Sequence, residues 1–417
     1  MSSEPTRRQF AKAAVAAIAT SQFPILGAND RVNVGIVGLG GRGNDHIGFY
    51  ETLDGDCRIA AICDVNQAAR EKANARILKE KGYSSKEFND MRELFASKEV
   101  DAVSLPLTYA TDEALLFATP RSGRPLVLLA GHLDTVPEQG NLPGRIEDGW
   151  VVGLGASDMK GGVAVMVELA NWAADGPALE LDLGFLFFVR EELPGEESAL
   201  PRVFAEAPLV LESDLVVMLE PTDGEIHAGC LGNLNATLAF RGESAHSARP
   251  WQGTNAIALA VEGLAPVVAV PPLEVEVGGL AFVEVLSATQ IHGGVADNVI
   301  PDSVEVRLNY RYAPNRTQEE AAARLRELVG AEVEITGNSP PAHVAAESPL
   351  VRSLRDAGGL AVAPKQAWTP VAEFAAQGLD AVNFGPGATR YAHRRDERVE
   401  VAALERCYEA LRAFVSG

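Results

Sequence analysis

Short apolar runs recur along the chain, and several are followed by stretches of helical period. Leu126–Ala130, Leu183–Val189 and Leu215–Leu219 are apolar throughout, as strands covered on both faces of a parallel sheet must be. A further strand is expected at Ala114–Ala118, and the periodic run Val163–Trp172 predicts a helix behind Gly161-Gly162. Beyond residue 233 the pattern changes. Leu234–Phe240 alternates apolar with polar, Asn255–Ala265 has helical period, and Ala281–Leu286 and Ser303–Tyr310 again suit strands, which together predict an α+β unit.

The N-terminal quarter follows another pattern. Residues 1–28 pair Thr6-Arg-Arg-Gln-Phe-Ala-Lys12 with an Ala-rich apolar stretch too short to span a bilayer; this resembles a twin-arginine export leader. The expected strand Val32–Val37 runs directly into Gly38-Leu-Gly-Gly-Arg-Gly43 and then a helical stretch. Gly38, Gly40 and Gly43 at this spacing permit a tight turn and close approach of a pyrophosphate to a helix N-terminus. A second strand, Cys57–Cys63, ends at Asp64, placed to accept from a ribose hydroxyl. These features predict a dinucleotide-binding segment over 32–107.

Composition narrows the function classes. The 417 residues are 47% hydrophobic and carry a formal net charge of -21, ample for several cores but unsuited to nucleic acid or an anionic membrane, which attract basic clusters. A small-molecule partner is the expectation. All of the excess negative charge lies after residue 107, where Lys160 and Lys365 are the only lysines, so the chain reads as two segments of different character joined between Leu105 and Asp112. Cys57, Cys63, Cys230 and Cys407 are scattered without a C-x-x-C pair, which suggests neither a disulfide framework nor a thiolate metal site.

Oxygen and nitrogen donors, by contrast, gather behind the expected strands. His132 and Asp134 follow Leu126–Ala130; Asp158 stands before the helix signal; Glu191 and Glu192 follow Leu183–Val189; Glu220 follows Leu215–Leu219; and His393 comes after Gly385-Pro-Gly387. Open α/β sheets keep their sites at carboxyl strand ends, and this donor set suits a catalytic zinc centre. Any one such residue more commonly serves as a helix cap or a satisfied polar group. The convergence of all of them favours a metal site.

The lines Leu129-Ala-Gly-His-Leu-Asp-Thr-Val136, Gly155-Ala-Ser-Asp-Met-Lys-Gly-Gly162, Ser244-Ala-His-Ser-Ala-Arg-Pro250, Asp297-Asn-Val-Ile-Pro301 and Asn383-Phe-Gly-Pro-Gly387 resemble the co-catalytic zinc aminoacylase and carboxypeptidase family, most closely its desuccinylase branch. The resemblance implies a zinc-exopeptidase-like α/β catalytic domain over 112–232 and 342–417, interrupted by an α+β dimerisation lid at 233–341. It implies two zinc ions, with cobalt or manganese able to substitute. Asp158 would bridge them, His132 and Glu220 completing one site and Glu192 and His393 the other, with a cis peptide bond between Asp158 and Met159. Glu191 would be the general base, Asp134 the orienter of His132, and His246 a residue reaching the partner subunit's site in a homodimer. Arg311, Thr369, Gly385 and Gly387 would line the pocket for an N-acyl amino acid, although Pro370 stands where the family has Asp. Acetylornithine and peptide hydrolases share this ligand set, so the acyl amino acid stays open at this level. The family's opening helix and strand are missing.

Residues 32–107 resemble the N-terminal half of the glucose-fructose oxidoreductase and inositol 2-dehydrogenase family. That family's Glu-Lys-Pro segment and substrate domain have no counterpart here, so NAD(P) is expected to be non-functional and the fingerprint vestigial. Two alternatives remain: a nicotinamide-dependent sugar dehydrogenase, and an inactive fusion. The hydrolase reading implies the cytoplasm, the leader export.

Overall fold

The structure, a computed structural model, describes residues 32–39, 41–52, 57–64, 66–90, 93–94, 97, 99–100, 102–104, 109–119, 121–174, 177–193 and 197–417. The leader at 1–28, Gly40 and the junction at 105–108 lie outside them.

Strands β1 (Val32–Val37), β2 (Cys57–Cys63), β3 (Lys86–Phe88) and β4 (Ala102–Ser104) form a parallel sheet in the order β3-β2-β1-β4. Helices Gly41–Thr52 and Gln67–Lys81 provide the crossovers, and Val34, Ile36, Ile47, Ile59, Ile62 and Ile77 form a small core of their own. This is the first half of a doubly wound nucleotide-binding sheet. Gly38 adopts a φ of 77°, and Gly43 lies in the following helix. Asp64 stands where expected, but its carboxylate already accepts from Leu39 N–H at 2.7 Å and Asn66 N–H at 2.8 Å, tying the glycine turn to the end of β2. With the described strands of this sheet ending at β4, calorimetric titration with NAD or NADP is expected to show no saturable heat at micromolar cofactor. A micromolar binding isotherm would restore a role for this segment.

The chain then builds β5 (Tyr109–Ala110), β6 (Ala114–Ala118), β7 (Leu126–His132), β8 (Arg145–Glu147), β9 (Trp150–Val152), β10 (Asp182–Phe188), β11 (Leu215–Met218) and β12 (Ile226–Cys230). Next come β13 (Gly232–Arg241), β14 (Ala245–His246), β15 (Leu273–Val277), β16 (Leu280–Gly293), β17 (Val299–Ile300), β18 (Ser303–Tyr312) and β19 (Glu334–Ser339), and finally β20 (Val362–Lys365), β21 (Ala381–Asn383) and β22 (Arg398–Glu400). An eight-stranded sheet runs β20-β12-β21-β11-β7-β10-β6-β5, in which β7 pairs in parallel with β10 and β11. All seven residues of β7 and of β10 are buried, which explains their unbroken apolar runs. Helices Gly161–Ala174 and Val401–Ser416 pack against this sheet in one large core. A second core, including Leu234, Leu308, Tyr310, Tyr312 and Leu325, lies between the five-stranded antiparallel sheet β15-β16-β18-β13-β19 and helices Ala256–Val268 and Gln318–Val329.

Strand ends are where hydrophobic pattern and structure differ. The apolar run ends at Ala130 but β7 continues to His132, because the His132 backbone still pairs with Phe188. Likewise β16 outlasts its expected end at Leu286 by seven residues, all solvent-exposed, since its ladder to β18 continues to Gly293↔Val304. Backbone pairing has no need of apolar side chains. Among the described residues no helix is long and apolar enough to cross a membrane.

Candidate metal centre

The parallel register brings the donors together. Strands β7, β10 and β11 end level with one another: Leu133 N–H donates to Phe188 O at 2.8 Å, and Leu219 N–H donates to Ala130 O at 3.0 Å. His132 therefore emerges beside Glu191–Glu192 and Glu220. Asp158 arrives from the other side on the turn that starts helix Gly161–Ala174. Gly162 makes that approach possible, because a Cβ there would lie 2.3 Å from Leu219 O. The Asp158–Met159 peptide bond is cis.

Asp158 stands between the two histidines. Its Oδ1 is 3.2 Å from His132 Nε2 and its Oδ2 is 3.3 Å from His393 Nε2. Glu220 Oε1 lies 3.6 Å from His132 Nε2, and Glu192 Oε1 lies 3.1 Å from His393 Nε2. Two donor triads, His132–Asp158–Glu220 and Asp158–Glu192–His393, share one carboxylate, and His132, Glu191 and Glu192 form a third group close enough to hold an ion. Glu191 Oε2 lies 3.8 Å from His132 Nε2. His393 and Arg190, the latter immediately before Glu191, both hold left-handed backbone (φ 59° and 69°), a conformation costly for residues with a Cβ and common at functional sites.

A cation fits this cluster. Glu220 Oε1 is buried and, among the described residues, has no hydrogen-bond partner, an expensive state that metal coordination would relieve. Without a cation the acids burden one another. Burial, reinforced by Asp158, lifts Glu220 to about 7, and burial lifts Glu191 well above the usual carboxylate range. Burial opposes ionisation of Asp158 too, but hydrogen bonds from His132 and His393 more than offset it and hold its pKa low. Those bonds act in reverse on the rings. For His132 the hydrogen bonds to Asp134 and Asp158 outweigh burial and raise the pKa well above the ordinary value; for His393, Asp158 and Glu192 raise it to about 10. His393 therefore carries a proton at pH 8 that a metal must displace, so binding should release a proton and tighten as pH rises. Calorimetric metal titrations at pH 8, in two buffers of different ionisation enthalpy, are expected to give different apparent heats. Equal heats would mean that no proton leaves.

Other residues explain how the ligands are held. His132 Nδ1 lies 3.1 Å from the Asp134 carbonyl oxygen, fixing the ring so that Nε2 faces the cluster. The Asp134 carboxylate accepts from Glu191 N–H at 3.3 Å and Glu192 N–H at 3.1 Å, so one residue orients both the histidine and the Glu-Glu turn. Glu397, which the sequence reading passed over, is 1% exposed and accepts from Gly155 N–H (2.8 Å), Ser157 N–H (3.0 Å) and Asp158 N–H (2.9 Å). It fastens the turn that presents Asp158. Lys160 is also buried, and its Nζ has no hydrogen-bond partner.

A cavity of about 1150 Å³ opens from the cluster between the two sheets, and Arg311 and Thr369 are among its lining residues. The Arg311 guanidinium is partly desolvated, and its Nε donates to Asn309 Oδ1 at 2.9 Å. Gly385 and Gly387 stand behind the wall: a Cβ on Gly385 would meet Glu220 O at 2.3 Å, and one on Gly387 would meet Ser157 O at 2.2 Å. Their role is close backbone approach. His227 also lines the cavity; burial lowers its pKa to about 4, with Lys365 adding to the effect. Asn233, Asn235, Trp368 and Glu373 also line it, without any motif that marks them. His246 is exposed on β14, its Nδ1 accepting from Ala248 N–H, and is not among the cavity-lining residues.

An α/β sheet with two nitrogen–oxygen triads sharing a carboxylate, and a glutamate beside them, defines a metal-dependent hydrolase of amide bonds. Residues 128–417 match the model of peptidase family M20/M25/M40, and the chain belongs to that family. Residues 32–123 match the NAD-binding Rossmann fold of an oxidoreductase family. The chain is 37% identical over 309 residues to a succinyl-diaminopimelate desuccinylase of Corynebacterium glutamicum, covering 72% of this chain and 84% of that one. It is 40% identical over 307 residues to a Mycobacterium tuberculosis protein provisionally named for the same activity, covering 73% and 86%. In fold it is similar to the M20 metallo-carboxypeptidase Sso-CP2 of Sulfolobus solfataricus, with TM-score 0.60 at 15% identity over 90% of this chain and 98% of that one. The dipeptidase Dug1p of Saccharomyces cerevisiae gives 0.58 at 13% identity over 97% and 98%.

Proposed function

We propose that this chain is a dizinc desuccinylase that hydrolyses the amide of N-succinyl-diaminopimelate to succinate and diaminopimelate. The observation that carries the proposal is the pair of triads sharing Asp158, with Glu191 beside them, in a chain 37–40% identical to proteins named for that reaction. His132, Asp158 and Glu220 would hold one ion and Asp158, Glu192 and His393 the other; cobalt or manganese should substitute. When bound, the ions supply Lewis-acid polarisation and lower the pKa of attacking water. Glu191 takes the proton from that water and returns it to the departing amine, a role suited to a carboxylate with a raised pKa. Arg311 receives a substrate carboxylate through its planar fork, and Thr369 bounds the same pocket.

Residues 112–232 and 342–417 are taken as the catalytic domain and 233–341 as the lid through which two copies pair. The exposed run Ser287–Gly293 pairs with β18 on one side and, among the described residues, with no strand on the other. Ile291 is 60% exposed there, while Val261 and Val268 are 67% and 64% exposed on helix Ala256–Val268 of the same unit. An open strand edge with apolar neighbours suits a second copy. In such a dimer His246 would reach the partner's site and hold the developing oxyanion. Zinc-loaded protein should release succinate from N-succinyl-diaminopimelate faster than it releases acetate from N-acetylornithine or cleaves dipeptides; the reverse order would move the substrate assignment elsewhere. Mixing His246→Ala with Glu191→Gln, each nearly inactive, should regain about a quarter of wild-type activity in the mixture, since half the dimers are hybrids with one intact site. Subunit exchange without recovery would place His246 outside catalysis.

A further inference from the structure

Among the described residues, Glu373 is the one acidic group lining the cavity that belongs to neither triad and is not Glu191. It projects from the short helix Val371–Ala376, a few residues beyond Trp368 and Thr369 in the same wall. Ser198 Oγ donates to it, 3.0 Å from Oε1 and 3.2 Å from Oε2, and among the described residues no cationic side chain pairs with it. Burial accordingly lifts its pKa to about 7, with Ser198 the only opposing influence. The cavity's cations are committed elsewhere: Lys365 Nζ donates to Pro221 O at 3.0 Å, and Arg311 stands on β18 in the opposite sheet.

A half-buried carboxylate without a cation costs stability, and it repels a substrate whose charges are all negative. Both effects reverse when the ligand brings a positive group. We infer that Glu373 is a specificity-determining residue that seats the free ammonium of the substrate, so that the enzyme selects N-acyl diamino acids over N-acyl monoamino acids. The inference rests on the desuccinylase reading and adds what that reading lacks, a group able to recognise the end of the substrate remote from the scissile amide. Arg311 and Glu373 would then divide the substrate's charges, carboxylate to one and ammonium to the other.

The test compares N-succinyl-L,L-2,6-diaminopimelate with N-succinyl-L-2-aminopimelate, which lacks only the remote amine, using the zinc-loaded full chain. Wild type should prefer the diamino amide by about tenfold or more in kcat/KM. Glu373→Gln, which keeps the Ser198 contact, should narrow that preference to about twofold through a higher KM for the diamino amide, and Glu373→Asp should retain part of it. Full preference in Glu373→Gln, or equal losses on both amides, overturns the assignment. So does a wild type that hydrolyses both amides alike, an outcome that leaves the desuccinylase reading standing and does not depend on any variant folding. Hydrolysis of neither amide removes the desuccinylase reading and this inference with it.

Discussion

Glu191→Gln should retain its metal and lose turnover by about 10²–10⁴-fold. The amide side chain keeps the shape of the carboxylate but cannot accept a proton from water or return it to the amine. Glu191 shares the Glu-Glu turn with Glu192, yet the two face different partners: Glu191 lies near His132, whereas Glu192 lies 3.1 Å from His393 and shares a triad with Asp158. Glu192→Gln should therefore lose metal from one site as well as activity. Metal content measured by atomic emission beside kcat separates the two roles. Equal metal loss in both variants would show that the roles are assigned wrongly, since only a ligand should govern occupancy. Because Asp134 accepts from the backbone N–H of both glutamates, neither substitution should disturb the turn itself.

Glu397→Ala should destabilise the fold strongly although the residue lies outside the donor cluster. It strands the N–H groups of Gly155, Ser157 and Asp158 in a region where water does not readily replace the lost acceptor. An unsatisfied buried donor costs about 1–3 kcal/mol, so the loss should reach about 3 kcal/mol or more even with partial relaxation. The consequence reaches the chemistry because this turn presents Asp158 to both histidines. Metal affinity should fall about 10- to 100-fold, the range seen when a group that orients ligands is removed. Chemical denaturation and competitive chelator titration measure the two effects. Unchanged stability with unchanged metal affinity would mean that the turn holds its shape by itself. Glu397→Gln should fall between, since its amide oxygen can still accept while its NH₂ meets a donor.

The sequence alone determined the strands and helices that bury apolar residues. β1, β2 and β6 begin and end where their hydrophobic runs do, because alternation and unbroken apolar stretches are direct consequences of covering one face or two. It also marked the candidate donors, since a metal's nitrogen and oxygen ligands restrict the residue types and strand ends restrict their positions. The tertiary structure decided what depends on distant segments meeting. Glu397 looks like any acidic residue in Arg394-Arg-Asp-Glu-Arg398, and it becomes a brace only because β22 pairs with β9 and brings it beneath Gly155–Asp158. His227 and Glu373 lack any motif for a related reason: a cavity wall is assembled from several elements, and no local spacing records it. Asp64 could be placed at the end of β2 from the sequence, but only the folded turn brings Leu39 N–H within 2.7 Å of its carboxylate. Local periodicity reports what a residue turns its back on, and only the fold decides what it faces.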